Sequence, residues 1–333
     1  MTNSKNLLVL LVALSSVGGI AGCSGSDDGG QTPPPTETKP LFNYENVEVR
    51  LDADLVVPAG HRGRIGPGAV LIADADIQIR VEGVLDVEGS AESPSRFTGS
   101  GTASSWYGIL VAAGGRLTLK HAELKEARYG VHALAGSSYE MDYADISGGF
   151  KAAVLESDGT IDHSHFAGAP PTSIAVTLEV SIDDPNGTMT IMNASPTVKN
   201  SSFDGASAYT DMVRIGGQAS PTFDHVQMQN AHCGFHTFGG VNTSPRITNS
   251  VFQNLSYGIM AFQTKPSFES CVFQNNTNDV GLCLGAAADN APVLSGNYYA
   301  SGSPAIDAGC FAIGTNDPNP AASPIEGAGP VGL

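Results

Sequence analysis

The sequence predicts an all-β chain wound into a parallel solenoid of about eleven coils. A short pattern returns about every 20 to 25 residues, the spacing of repeat architectures. Its apolar positions fall at strand period. After the N-terminal leader, no stretch shows sustained helical periodicity. The clearest copies are Val198-Lys-Asn-Ser-Ser-Phe203-Asp-Gly205, Phe223-Asp-His-Val-Gln-Met228-Gln-Asn230, Ile247-Thr-Asn-Ser-Val-Phe252-Gln-Asn254 and Phe268-Glu-Ser-Cys-Val-Phe273-Gln-Asn275. Weaker copies run from Leu119 to Glu126, Met141 to Gly148 and Ile161 to Gly168. A unit this short cannot bury a face alone, so its copies must stack. Coils between residues 44 and 305, stacked ~4.8 Å apart, would give a rod about 50 Å long.

Each position of the repeat has its own reason. Leu119, Met141, Ile161, Val198, Phe223, Ile247 and Phe268 form a first apolar column. A second, five residues on, holds Leu124, Ile146, Phe166, Phe203, Met228, Phe252 and Phe273. Two places before it, on the same face, stand Ala122, Ala144, Ser164, Ser201, Val226, Ser250 and Cys271, mostly small. Two places after it stand Glu126, Gly148, Gly168, Gly205, Asn230, Asn254 and Asn275. Gly and Asn tolerate a left-handed backbone, so this column marks a repeated bend. Its Asn side chains can also bond along the stack. Pro196, Pro221, Pro245 and Pro266 precede the first column by two, where proline suits a strand start. A second strand follows each bend, as at Tyr129-Gly-Val131 and Tyr257-Gly-Ile259.

The opening stretch reads Val56-Val-Pro-Ala-Gly60, Ile65-Gly-Pro-Gly-Ala-Val70, Val81-Glu-Gly-Val-Leu85-Asp-Val-Glu-Gly89 and Trp106-Tyr-Gly-Ile109. It resembles the first coils of bacterial right-handed parallel β-helix repeat proteins. Gly302-Ser-Pro-Ala-Ile-Asp-Ala-Gly309 is similar to that family's usual close. The resemblance covers nearly all of residues 45–310 and implies a right-handed parallel β-helix. It implies no single activity, because such folds include polysaccharide lyases, hydrolases, epimerases and noncatalytic surface proteins.

Residues 1–22 read as a lipoprotein signal peptide. Lys5 supplies the positive region and Leu7 to Leu14 the apolar one. Ile20-Ala21-Gly22-Cys23 resembles the bacterial lipobox, which makes Cys23 the lipid-bearing first residue of the mature chain. Ser24 resembles the outer-membrane sorting pattern. Residues 23–43 then form a lipidated Cys and a flexible Ser/Gly/Thr/Pro tether. The expected location is the outer membrane, lipid-anchored, on its periplasmic or cell-surface face.

Without Lys5 the chain has 15 basic residues against 33 acidic ones, a net of −18. Such a charge excludes nucleic acid as a partner and disfavours anionic lipid surfaces. It also disfavours a general polyanion groove. Of the remaining cysteines, Cys271 falls in the small inward column and suits a buried thiol. Cys283 and Cys310 lie near adjacent terminal coils and are the preferred disulfide pair. No cysteine spacing suggests zinc.

Candidate chemistry sits in two polar columns. Three places before the second apolar column stand His121, Tyr143, His163, Asn200, His225, Asn249 and Ser270. One place before it stand Glu123, Asp145, His165, Ser202, Gln227, Val251 and Val272. Neighbouring coils thus gather Tyr143, Asp145, His163 and His165, the ingredients of acid/base work at ~5 Å spacing. The competing and preferred reading is a bend, because Asn, Asp and His are enriched at positive φ. The block lacks an obvious cation for a uronate, and the Asp-Asp plus Gly-His-Gly set of pectin-type hydrolases is missing.

The period breaks once. Phe166 and Phe203 are 37 residues apart. Alternating β-formers flank Asp183-Asp184-Pro-Asn-Gly187, which predicts a hairpin insertion near 172–195. Its acidic tip, Asp183 and Asp184, is the one candidate Ca²⁺ site; no other cofactor is expected. The β-helix is placed at 44–310, with 311–333 as an irregular cap or tail, disordered beyond about Asn316. The preferred function is a noncatalytic surface lipoprotein acting as a structural, adhesive or carbohydrate-contacting module. Its expected partners are the membrane, through the anchor, and an extracellular polysaccharide or surface protein. The alternative is a lyase or epimerase acting on a uronic-acid glycan.

Overall fold

The computed structural model describes residues 39–101, 106–168, 180–183, 187–205, 207–239, 242–281, 292–307 and 317–332. The signal peptide, Cys23, the tether to residue 38, Asp184, Cys283 and Cys310 lie outside the described residues.

The described chain is a parallel β-solenoid with three ladders. In the first sheet one column runs Tyr44, Ile65, Val87, Leu119, Met141, Ile161, Val198, Phe223, Ile247, Phe268, Leu294. The second runs Val49, Leu71, Phe97, Leu124, Ile146, Phe166, Phe203, Met228, Phe252, Phe273, Tyr299. The third runs Leu55, Ile79, Ile109, Val131, Ala153, Met189, Val213, Phe235, Ile259, Val280 and closes on an isolated bridge to Ile306. Both apolar columns read from the sequence are therefore true rungs, at the expected register. From Ile65 onward the first column is buried. Burying each such side chain contributes ~1.5–3 kcal/mol. Phe166 stacks on Phe203 at 5.2 Å, Phe252 on Phe273 at 4.9 Å and Phe273 on Tyr299 at 5.3 Å.

The corners explain the polar residues between rungs. All of His121, Tyr143, His163, Asn200, His225, Asn249 and Ser270 have positive φ, from 43° to 56°. The next corner has positive φ at Glu126, Gly148, Asn230, Asn254 and Asn275. Inside the first corner the serines form a ladder. Ser164, Ser201 and Ser250 donate Oγ–H to the carbonyls of Asp162, Lys199 and Thr248 at 2.7, 2.5 and 2.6 Å. Each also accepts a backbone N–H at 3.1 Å from the coil before. The column is small because it must turn inward and polar because the corner leaves backbone groups to satisfy. Asn254 Nδ2 donates to Asn230 Oδ1 at 3.4 Å, so the Asn column does bond along the stack.

Two expectations need correction. Gly187–Met192 is a rung of the third sheet, paired in parallel with Ala153–Leu155 and with Asp211–Gly216. It is not the return arm of a hairpin. Alternating β-formers serve a solenoid rung as well as a hairpin, and here an almost wholly buried rung claimed them. The described part of the insertion, 180–183, folds against the third sheet, with Val180 buried near Gly216 and Asp183 accepting from Tyr129 Oη at 3.1 Å.

The tail is also ordered in its contacts. Asp317 is buried and accepts from the Gly296 and Asn297 amides at 3.1 and 2.9 Å, from Asn297 Nδ2 at 3.1 Å and from Tyr299 Oη at 3.3 Å. Farther on, Gly329 N–H donates to the Asn249 carbonyl at 2.8 Å. A Cβ on Gly332 would sit 3.6 Å from His163 Nε2. Residues 317–332 thus run back along the first-corner column.

Candidate functional site

The first-corner column gathers part of the predicted set. His121, Tyr143 and His163 stack face to face, with ring centroids 4.7 Å apart and interplanar angles of 13° and 10°. Tyr143 is 40% exposed. His163 Nδ1 lies 3.2 Å from Asp162 Oδ1 and 3.6 Å from Asp142 Oδ1. Asn200 Nδ2 donates to Asp162 Oδ1 at 2.9 Å. A groove of about 600 Å³ opens beside them, its charged and aromatic lining made by Glu140, Asp142, Tyr143, Asp162, His163 and Lys199. Three carboxylates face one lysine, so the groove suits a neutral or cationic ligand better than a polyanion.

The other half of the predicted set lies past the corner. Inward-facing Ser164 separates His163 from His165. His165 pairs in register with Asp145 and its Nδ1 contacts Ser202 Oγ at 2.9 Å. Asp145 Oδ2 is 4.0 Å from Lys125 Nζ, while its Oδ1 is buried without a hydrogen-bond partner. Tyr143 with His163 therefore stands at the corner and lines the groove, whereas Asp145 with His165 stands on the second sheet and does not. In the groove, ring faces are spent on one another, leaving ring edges for a ligand.

Among the described residues no three His, Cys, Asp or Glu side chains gather at metal-binding distance. Asp183 is engaged by Tyr129, and its predicted companion Asp184 is outside the described residues. Cys233 and Cys271 are buried thiols, and burial pushes Cys271 up to about 12.

A charged cluster on the third sheet went unread in the sequence. Ala152 with Ala153, and Met212 with Val213, both enter the core as consecutive residues. That irregularity flips the alternation and places Lys151, Asp211 and Cys233 on the outer side with His132, Arg214 and His236. Asp211 Oδ1 accepts from His232 at 3.0 Å, and Oδ2 from Arg214 at 2.8 Å and His236 at 3.3 Å. Burial alone would raise the Asp211 carboxyl. The bonds from His232 and His236 and the charges on His236 and Arg214 outweigh it and hold the carboxyl well below its usual range. Asp211, Arg214 and Lys151 are nearly inaccessible to solvent. Charged and imidazole residues recurring within apolar strand segments, in Asp211-Met-Val-Arg214 and His232-Cys-Gly-Phe-His236, were the available signal. Two of these residues, Lys151 and Arg214, are cations, yet they are packed into the sheet as a brace.

The family described as right handed beta helix region matches residues 107–297. No curated protein matches the chain. Among solved structures, an alginate lyase from Paenibacillus sp. str. FPU-7 is 11% identical with a TM-score of 0.30, over 73% of this chain and 93% of that one. A mannuronic acid specific polysaccharide family 6 lyase from human gut microbiota is 10% identical with a TM-score of 0.29, over 75% of this chain and 64% of that one. At that distance neither likeness carries anything about this chain's chemistry. With its family match spanning residues 107–297 and three parallel ladders around one core, the chain belongs to the right-handed β-helix family.

Proposed function

We propose that the β-helix is a surface contact module, held at the outer membrane by a lipid on Cys23, whose first-corner groove meets a neutral carbohydrate. The observation that carries this reading is the division of the acid/base candidates between the corner, where Tyr143 and His163 line the groove, and the second sheet, where Asp145 and His165 do not. A general acid and base must reach one substrate bond, and Asp145 and His165 do not line the groove that Tyr143 and His163 line. Positive φ throughout the column gives those residues a structural reason to be present. Carboxylates around the groove favour uncharged sugars over uronates.

The test uses the chain from Cys23 onward, with Cys23 replaced by serine, against a panel of neutral and uronic-acid glycans. Binding to neutral glycans, weakened by Tyr143→Ala, is expected. Ultraviolet-absorbing unsaturated product from a uronate polymer, lost in His163→Asn, would replace this reading with the lyase alternative. Membrane attachment is checked separately by metabolic labelling with a fatty acid, which Cys23→Ser should abolish.

A further inference from the structure

The third sheet carries a second set of titratable groups, several coils before the Asp211 brace. Tyr107 stands in the strand Trp106–Val111, His132 in Ala127–Ala133 and Glu156 just after Lys151–Leu155. Tyr107 Oη is 2.9 Å from His132 Nδ1, and His132 Nε2 is 3.0 Å from Glu156 Oε1. As a carboxylate Glu156 can only accept, so Nε2 carries a proton. The neutral imidazole then accepts the Tyr107 phenolic proton at Nδ1. His132 is buried, whereas Tyr107 is half-buried and the Glu156 side chain is 31% exposed. The tautomer is thus fixed from one side, and the phenol end faces the accessible side.

We propose that Tyr107, His132 and Glu156 form a relay in which Tyr107 is a nucleophile toward acyl esters. The phenolic oxygen bonds to the acyl carbon as the bond from that carbon to the leaving oxygen breaks. The phenolic proton passes to His132 Nδ1 and is then released to the leaving oxygen or to water. Glu156 stabilises the imidazolium while it lasts. This is the base-plus-orienter logic of activated nucleophiles. It does not depend on the groove reading, which concerns another sheet.

The groups facing Tyr107 allow a sharp test. Burial, then Tyr129, Glu156 and Asp183, hold its phenol above the ordinary value, with Arg128 opposing. Without the relay Tyr107 should therefore react more slowly than the exposed phenols of Tyr143 and Tyr209. The protein is treated with p-nitrophenyl acetate at neutral pH, and acetylation of each tyrosine is followed by peptide mass spectrometry. Tyr107 should acetylate at least ~10-fold faster than Tyr143 and Tyr209, a low value for base assistance. Glu156→Gln and His132→Gln should each remove that advantage while the circular dichroism spectrum is kept. Acetylation of Tyr107 no faster than of the exposed tyrosines, or a rate untouched by Glu156→Gln, would overturn the proposal.

Discussion

Whether His163 is a bend residue can be settled by exchanging it twice. Its φ is 44°, and its ring stacks on Tyr143 at 4.7 Å. His163→Asn and His163→Val both remove the stack, worth ~0.5–1.5 kcal/mol. They differ in the backbone, because Asn tolerates the left-handed region and a β-branched residue does not. Left-handed geometry costs an ordinary L-residue ~1–2 kcal/mol. His163→Asn should then lose about 1 kcal/mol and His163→Val about 2–3 kcal/mol. Urea unfolding followed by circular dichroism measures both. Trp106, the single tryptophan and buried, provides a second probe of whether one transition is being followed. Equal stability of the two variants would refute the bend explanation, because Asn is favoured over Val both by backbone preference and by a donor placed like that of Asn200, which reaches Asp162 in the coil before.

Three further outcomes follow from the buried polar groups. Asp211→Asn should cost ~3 kcal/mol, since it removes the acceptor charge shared by Arg214, His232 and His236. Because the folded carboxyl lies below its ordinary 3.8, its stabilisation is present above that pH and is lost as pH falls below it. Melting temperature should therefore fall more steeply below about pH 4 in wild type than in Asp211→Asn. Cys271 takes the place of the corner serines, with Sγ 3.5 Å from the Glu269 carbonyl and a bond from the Ser250 amide. Cys271→Ser should change stability by less than ~1 kcal/mol, while Cys271→Ala should cost ~1–3 kcal/mol by orphaning that amide, as calorimetry would show. Asp317→Ala should free the tail, raising hydrogen exchange at the Gly296 and Asn297 amides and protease cutting after residue 317 without moving the main transition.

The periodic parts of the molecule were legible, and the parts that rest on long-range geometry were not. Phe203, Met228, Phe252 and Phe273 could be aligned because a solenoid repeats its environment every coil. The positive-φ corners at Asn249 and Asn254 were readable for the same reason. His163 and His165 misled because two residues apart means one face only within a straight strand. A left-handed residue at 163 turns the chain, so His163 lines the groove at the corner while His165, past inward-facing Ser164, does not. The tail misled by composition. Gly, Ala and Pro suggest disorder, but one carboxylate, Asp317, finds two amides, Asn297 Nδ2 and a phenol on the last coil. The Lys151 and Asp211 positions were hidden by two consecutive core residues, which break the alternation that a sequence pattern assumes.

The placement of positive charge argues for attention to the third sheet. This chain has 16 basic residues among 333, and it buries Lys151 and Arg214 almost completely. Taking a cation out of water costs several kcal/mol unless paired, and a solenoid core can be built from apolar columns without it. Replacing a buried ion pair by apolar residues of similar size is often neutral or stabilising. If the Arg214–Asp211 contact only braces the sheet, Asp211→Leu combined with Arg214→Met should be at least as stable as Asp211→Asn alone. Thermal melts of the two proteins decide the matter. A double variant clearly less stable than Asp211→Asn would mean that Arg214 holds a further part of the molecule in place, and that the cluster is more than a local pair.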